Sequence, residues 1–325
     1  MSVDVRPELT SPSPAPTGRR ARTTPRLPQP PRRPPSVPRD RVPLTDRQRT
    51  VRGMLIIAAI LLLTFVGNLT VMSHLQHVAH QQKLHDEFVQ LLADGTAPVS
   101  EGDFAGVLLR DGAPVSVIEI PDIGVSEVVS EGTSSGVLMQ GPGHRRDTVL
   151  PGQQGVSVVM GRAASFGGPF ARLQELMPGA QVRMITGQGD HVYEVLGVRY
   201  AGDPAPAALV AGEGRLILES ARGAAFAPTG VVRVDARLVT DANPPGARQT
   251  TFASLPVSHA EMATDTSSAW ALVFGVQVLI LVELALVWTV RRIGVRQAWA
   301  VFVPVAIVTG LVVTDQIIRL LPNLL

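Results

Sequence analysis

The sequence predicts a mainly β domain carried on three membrane helices, one before it and two after it. Gly53–Ser73, Ala269–Val290 and Gln297–Thr314 are apolar stretches, each long enough at 1.5 Å per residue to approach or cross a bilayer core of roughly 30 Å. Between the first two, short runs of Val, Ile and Leu alternate with Gly, Pro and Asp turns. Many short strands at close spacing suggest a barrel or sandwich. Only 17% of the 325 residues are charged, and the formal net charge is +2.

The first 50 residues hold 12 of the 27 prolines, with arginines throughout. Stretches such as Pro30-Pro31-Arg32-Arg33-Pro34-Pro35 lack the backbone donors for helices or ladders and the apolar surface for a core. Residues 1–50 are therefore expected to be a disordered cytoplasmic tail that hugs an anionic leaflet or docks a partner. No folded motif or interleaved aromatics accompany its charge, so nucleic acid is not an expected partner.

Residues 53–73 read as an uncleaved membrane helix. Arg47, Arg49 and Arg52 precede it, while Asp86 and Glu87 follow, which places the N-terminus inside. Residues 74–103 read as a stalk helix. His74, His77 and His80 fall along one face; a metal or pH-sensing site is conceivable, but no further ligand lies nearby before His85 and Asp86. A polar stalk is the simpler reading.

Residues 104–240 are expected to form the β domain. Its candidate strands are Val115–Ile120, Val125–Val129, Val156–Met160, Gln181–Ile185, Val192–Val198, Leu216–Glu219 and Val231–Leu238. Pro121-Asp122-Ile123-Gly124 and Gly187-Gln188-Gly189-Asp190 carry turn chemistry. Pro169–Leu176 is the one helical candidate, with Phe170, Leu173 and Leu176 on one face.

Residues 241–266 are rich in Pro, Ser, Thr and Ala and read as a linker. The spans 269–290 and 297–314 follow, with Trp270 and Trp288 as interface anchors. Arg291, Arg292 and Arg296 put their connection inside and the β domain outside. Asp315 and Arg319 face each other across one turn. Glu283 lies within a span; a carboxylate there is a candidate contact for a membrane partner, or else a packed, locally paired group.

Ordered motifs give the β domain a resemblance. Ile120-Pro121-Asp122-Ile123-Gly124-Val125, Gly141-Pro142-Gly143-His144, Phe166-Gly167-Gly168-Pro169-Phe170 and Leu173-Gln174-Glu175-Leu176-Met177-Pro178-Gly179 are similar to those of membrane-anchored actinobacterial sortases. Arg319-Leu320-Leu321-Pro322-Asn323-Leu324-Leu325 looks like the end of such proteins too. The resemblance implies a closed β-barrel with a short helix after the Phe-Gly-Gly-Pro-Phe turn. It also implies a Cys nucleophile, a His and an Arg acting on a sorting-signal peptide. Here Arg162 falls on the His position and Ala221 on the Cys position. Val231 falls on the Arg position, with Arg233 the nearest arginine.

The chain contains no cysteine, which excludes thiolate nucleophiles, disulfides and Cys metal sites. Arginine stays charged and makes a poor general base at neutral pH. Ser220 is a stand-in nucleophile only if a base reaches it. The domain's histidines are His144, read as structural, and His191, read as exposed in a turn. Arg162, Glu219, Ser220, Arg222 and Arg233 are the candidate groove residues, with an Arg162–Glu219 pair one way to plug it. No cofactor is expected, since no HExxH, EF-hand-like or phosphate-loop pattern is present. The expected function is a catalytically inactive, sortase-like scaffold or binding component of envelope assembly. Its expected partners are an active sortase or sorting-signal substrates. A Ser220-dependent enzyme and an inert anchor are the alternatives.

Overall fold

The computed structural model describes residues 45–103 and 105–325, so nearly all of the Arg/Pro-rich tail read at 1–50 lies outside the described residues. Helix α1 spans Asp46–Gly67, and Thr45 opens it with a capping exchange. The Thr45 amide donates to Gln48 Oε1 at 3.0 Å, and the Gln48 amide to Thr45 Oγ1 at 3.4 Å. A π turn at Asn68–Met72 joins α1 directly to α2, Ser73–Ala93. There the Thr70 and Ser73 hydroxyls donate to the carbonyls of Val66 and Leu69. The expected membrane helix and stalk are thus one unbroken rod.

Eight strands close a barrel: β1 Pro114–Ile120, β2 Val125–Glu131, β3 Gly143–His144, β4 Gly155–Met160, β5 Gln181–Thr186, β6 Gly189–Tyr200, β7 Gly214–Ala224 and β8 Ala227–Leu238. The order around it is β1-β2-β3-β4-β7-β8-β6-β5, with β5 returning to β1. The pairs β2–β3 and β4–β7 are parallel and the rest antiparallel. Period-two alternation sends Ile118, Ile120, Val159, Met184, Tyr193, Leu216, Leu218 and Val234 into one core, and a register irregularity at the start of β1 adds Val115. The two-residue β3 leaves part of β2 without a strand neighbour, and α2 covers it. Gln81 Oε1 accepts the Val128 amide at 2.7 Å, and Gln81 Nε2 donates to the carbonyls of Val128 and Gln140. Leu84 and Phe88 of α2 are buried, and His77 Nε2 lies 2.9 Å from Glu127 Oε1. His74 and His80 are exposed, so of the three stalk histidines His77 alone is buried against the barrel.

Three expectations change. Residues 169–176 form no α-helix; Leu173–Glu175 is a single 3₁₀ turn. Phe170, Leu173 and Leu176 are all buried, and their three-residue spacing is that of a 3₁₀ turn. His191 is buried rather than exposed: it lies on the inward alternation of β6, under Gly152 and 3.2 Å from Asn243 Nδ2. Residues 241–266 are a strap rather than a free linker. Asn243 bridges Gln153, the Gln249 and Thr250 amides donate to the Glu101 carboxylate, and His259 is buried.

Helices α4, Ala269–Arg292, and α5, Val295–Arg319, pack on each other, Gly275 admitting Val313 to close approach. The α1–α2 rod, α4 and α5 are each long and apolar enough to cross a membrane. Arg319 Nε meets Asp315 Oδ2 at 3.2 Å. Glu283 lines a small gap of about 30 Å³ shared with Ile60, Leu61, Trp299 and Val303, so residues of α1, α4 and α5 surround it.

Candidate functional site

Strands β4, β7 and β8 lie side by side, and their alternate residues divide between the core and the barrel's outer face. Val156, Val158 and Met160 of β4, Ile217 and Ala221 of β7, and Val231 of β8 belong to a second apolar cluster on that outer face. Ala221 pairs with Val231, and Glu219 pairs with both Met160 and Arg233. Register therefore brings Ala221, Val231, Glu219 and Arg233 onto one surface, and Arg162 follows two residues after β4.

Arg162 is fully buried. Its Nη1 donates to Ser165 Oγ at 3.1 Å and to the Leu325 carbonyl at 2.8 Å; its Nη2 donates to Ser135 Oγ at 2.8 Å and the Ser135 carbonyl at 3.2 Å. Ser135 opens the short helix α3, Ser135–Leu138. The Phe166 ring lies 5.4 Å from the guanidinium carbon. None of these neighbours carries a negative side chain. Burial, with the Arg319 charge nearby, pulls the Arg162 guanidinium down to about 9.

Arg162 and Glu219 do not pair. Glu219 Oε1 accepts Arg233 Nε at 2.9 Å, and Arg233 Nη2 also reaches the Glu261 carboxylate. Cross-strand register explains the choice, because Glu219 and Arg233 face each other directly. Burial and Glu261 push the Glu219 carboxyl up, against the pull of Arg233. Arg222 stands apart, exposed and stacked on Tyr200 at 4.3 Å.

Ser220 points the other way along β7. Its buried hydroxyl donates to the Gly161 carbonyl at 2.9 Å. His144 Nδ1 lies 2.9 Å from Glu131 Oε2, and its Nε2 lies 2.9 Å from the Val149 carbonyl. No histidine hydrogen-bonds Ser220 among the described residues, so Ser220 has no base at hand. No cluster of His, Asp or Glu among the described residues forms a metal site.

The site also includes residues that the sequence reading named as a motif but did not place in it. Segment 320–325 turns back from α5 onto the outer face, where Leu324 and Leu325 are buried with Leu138, Val158, Met160 and Ala221. The Ala163 amide donates to the Leu324 carbonyl at 2.9 Å, and the Asn323 amide to the Ala263 carbonyl at 2.9 Å. Asn323 Nδ2 donates to the carbonyls of Thr133 and Ala260, both at 2.9 Å. Met262, held at φ +57°, packs beside it. The apolar Leu-Leu pair just past α5 was the available signal.

The loop after β4 turns at Phe166, Gly167 and Gly168, whose φ values are all positive. Phe166 packs on Met139, Ile318 of α5 and Leu69 of the π turn. The rod and α5 thus meet the barrel at one loop.

Residues 118–218 match the Sortase domain family model. The match ends at Leu218, just before Glu219, Ser220 and Ala221. A curated relative, Sortase D of Bacillus subtilis (strain 168), is 32% identical over 85 residues, which is 26% of this chain and 41% of the relative's length. The chain therefore spans less than half of that protein in the comparison. Among solved structures, a Clostridium perfringens Sortase D5 transpeptidase is 19% identical with a TM-score of 0.41, covering 50% of this chain and 99% of that one. Sortase E1 from Streptomyces coelicolor is 20% identical with a TM-score of 0.34, covering 41% and 91%. The β domain of this chain is thus similar to the Sortase domain family over residues 118–218, a stretch that lies within the closed barrel.

Proposed function

We propose that this protein is a catalytically inactive, sortase-like membrane protein, a binding or scaffold component in the assembly of surface proteins or pili at the cell envelope. The observation that carries this reading is a chain without cysteine, with Ala221 read at the place of the nucleophile. A methyl group attacks nothing, and Arg162 in the place of the base is already a cation. Supporting it, Ser220 is turned away and engaged by Gly161. The arginines flanking α1 and the α4–α5 connection support an N-terminus inside and a barrel outside. In this reading the partners are an active sortase or the sorting-signal substrates it processes, and Glu283 offers a contact inside the membrane.

The test is a cleavage assay with fluorogenic sorting-signal peptides on the full chain, run beside an Ala221→Cys, Arg162→His double variant. No turnover by the native chain supports the reading. Turnover by the native chain overturns it, and Ser220→Ala then identifies the nucleophile. Purification from native membranes that recovers no envelope-building enzyme or surface protein counts against the scaffold role.

A further inference from the structure

The outer face around Ala221 is already filled. Leu324 and Leu325 are buried in its apolar cluster, and Leu321 and Met262 pack at its edges. Ala221 keeps only 6% of its surface exposed. Polar contacts lock the same segment. Arg162 and Ser165 both donate to the Leu325 carbonyl, at 2.8 and 2.6 Å. Ala163 holds the Leu324 carbonyl, and the Asn323 side chain bridges Thr133 and Ala260. Each contact uses a group the barrel or strap presents toward the segment: an amide just after β4, a carbonyl before α3, a guanidinium with no acidic neighbour. These are the features of a built peptide site, with main-chain hydrogen bonds for affinity and an apolar pocket for side-chain choice.

We propose that the outer face of β4, β7 and β8, centred on Ala221 and Arg162, is a peptide seat whose resident ligand is residues 321–325 of the same chain. The substitutions suit this task. Alanine at 221 leaves the floor low and apolar beneath the leucine pair. Arginine at 162 reaches Ser135 on one side and the Leu325 carbonyl on the other. The seat couples α5 to the barrel, and an outside peptide of like chemistry, extended, without charged side chains and carrying two adjacent leucine-type residues, enters only by displacing the segment. This goes beyond the proposed function, since it holds whichever client the protein serves.

A chain without cysteine permits a direct test with single introduced thiols. In the full chain in detergent, Ala221→Cys is expected to react with a maleimide at least about tenfold more slowly than Ala205→Cys in an exposed loop, as protection by a closed structure requires. Adding Asn323→Ala and Leu324→Ala is expected to raise the Ala221→Cys rate toward that reference. A synthetic peptide of the sequence of residues 320–325 is expected to slow it again. Photo-leucine at position 324 of the otherwise unchanged chain gives a readout that no variant's folding can confuse. Cross-links to residues of β4, β7 or β8 are expected. Labelling of Ala221→Cys in the parent chain at the reference rate, or cross-links that avoid those strands, overturns the proposal.

Discussion

Arg162 Nη1 and the Leu325 carbonyl oxygen lie 2.8 Å apart although 163 residues separate them in sequence. Arg162 is held there by the Ser135 and Ser165 hydroxyls, the Ser135 carbonyl, the Leu325 main-chain oxygen and the Phe166 ring. A buried charge depends on such partners. Arg162→Met, which keeps volume but strips the donors from Ser135, Ser165 and Leu325, is therefore expected to cost about 1–3 kcal/mol. Arg162→Ala, which leaves a cavity, is expected to cost roughly 2–5 kcal/mol. Thermal midpoints of the detergent-solubilised chain compare them; equal losses for both would sink the argument.

The Glu219–Arg233 pair behaves differently. Removing Arg233 leaves a buried carboxylate beside Glu261, and Arg233→Met is expected to cost about 3–5 kcal/mol. Adding Glu219→Gln is expected to recover a large part of that loss. A double-mutant cycle on unfolding midpoints measures the coupling, and additive single effects would show the pair to be energetically independent.

His259 supplies a pH dependence. Its Nδ1 accepts the Thr133 amide at 3.1 Å, which requires that nitrogen to be unprotonated. Burial depresses its pKa below 6.5; Asp111 pulls it back up, Arg146 pushes it down, and Asp265 and Glu131 pull it up. The unfolded chain binds the proton first as pH falls, so stability rises with pH between the depressed folded value and 6.5. The strap's contribution is full above pH 6.5 and is lost on acidification through the folded value. His259→Asn, whose side-chain oxygen can replace the Nδ1 acceptor, is expected to flatten the midpoint profile between pH 7.5 and 5. An unchanged slope would assign the dependence elsewhere.

Gly167 sits at φ +78°, and a Cβ there would lie 2.6 Å from His77 Cδ2. Gly167→Ala is therefore expected to strain the backbone and push α2 off the turn, at a cost of roughly 1–3 kcal/mol. Proteolysis within residues 73–93 should quicken relative to the parent; unchanged resistance would mean that the loop adapts without moving the helix.

Much of the barrel was legible because strands announce themselves by alternation. All seven candidate runs lie within strands of the barrel, while β3 escaped because two residues show no period. The helical expectation at 169–176 failed because a spacing of three suits a single 3₁₀ turn as well as a helix face. His191 was misread because its turn-like neighbours hid the inward register of β6. At the site, Arg162 and Ala221 were read one at a time, from family-like motifs. The Glu219–Arg233 pairing needed the cross-strand register, which a linear reading lacks. The occupant of the site was least visible, since residues 320–325 come together with β4 and β7 only by long-range folding.

Segment 320–325 also acts as a short leash. Six residues span at most about 20 Å, and they run directly from the end of α5 into the cluster around Ala221. Since α5 is long and apolar enough to cross a membrane, a bilayer around it would hold that surface close to its headgroups. A competitor tethered in the same bilayer would then meet it in a two-dimensional search, governed by lateral density rather than by concentration in the surrounding medium.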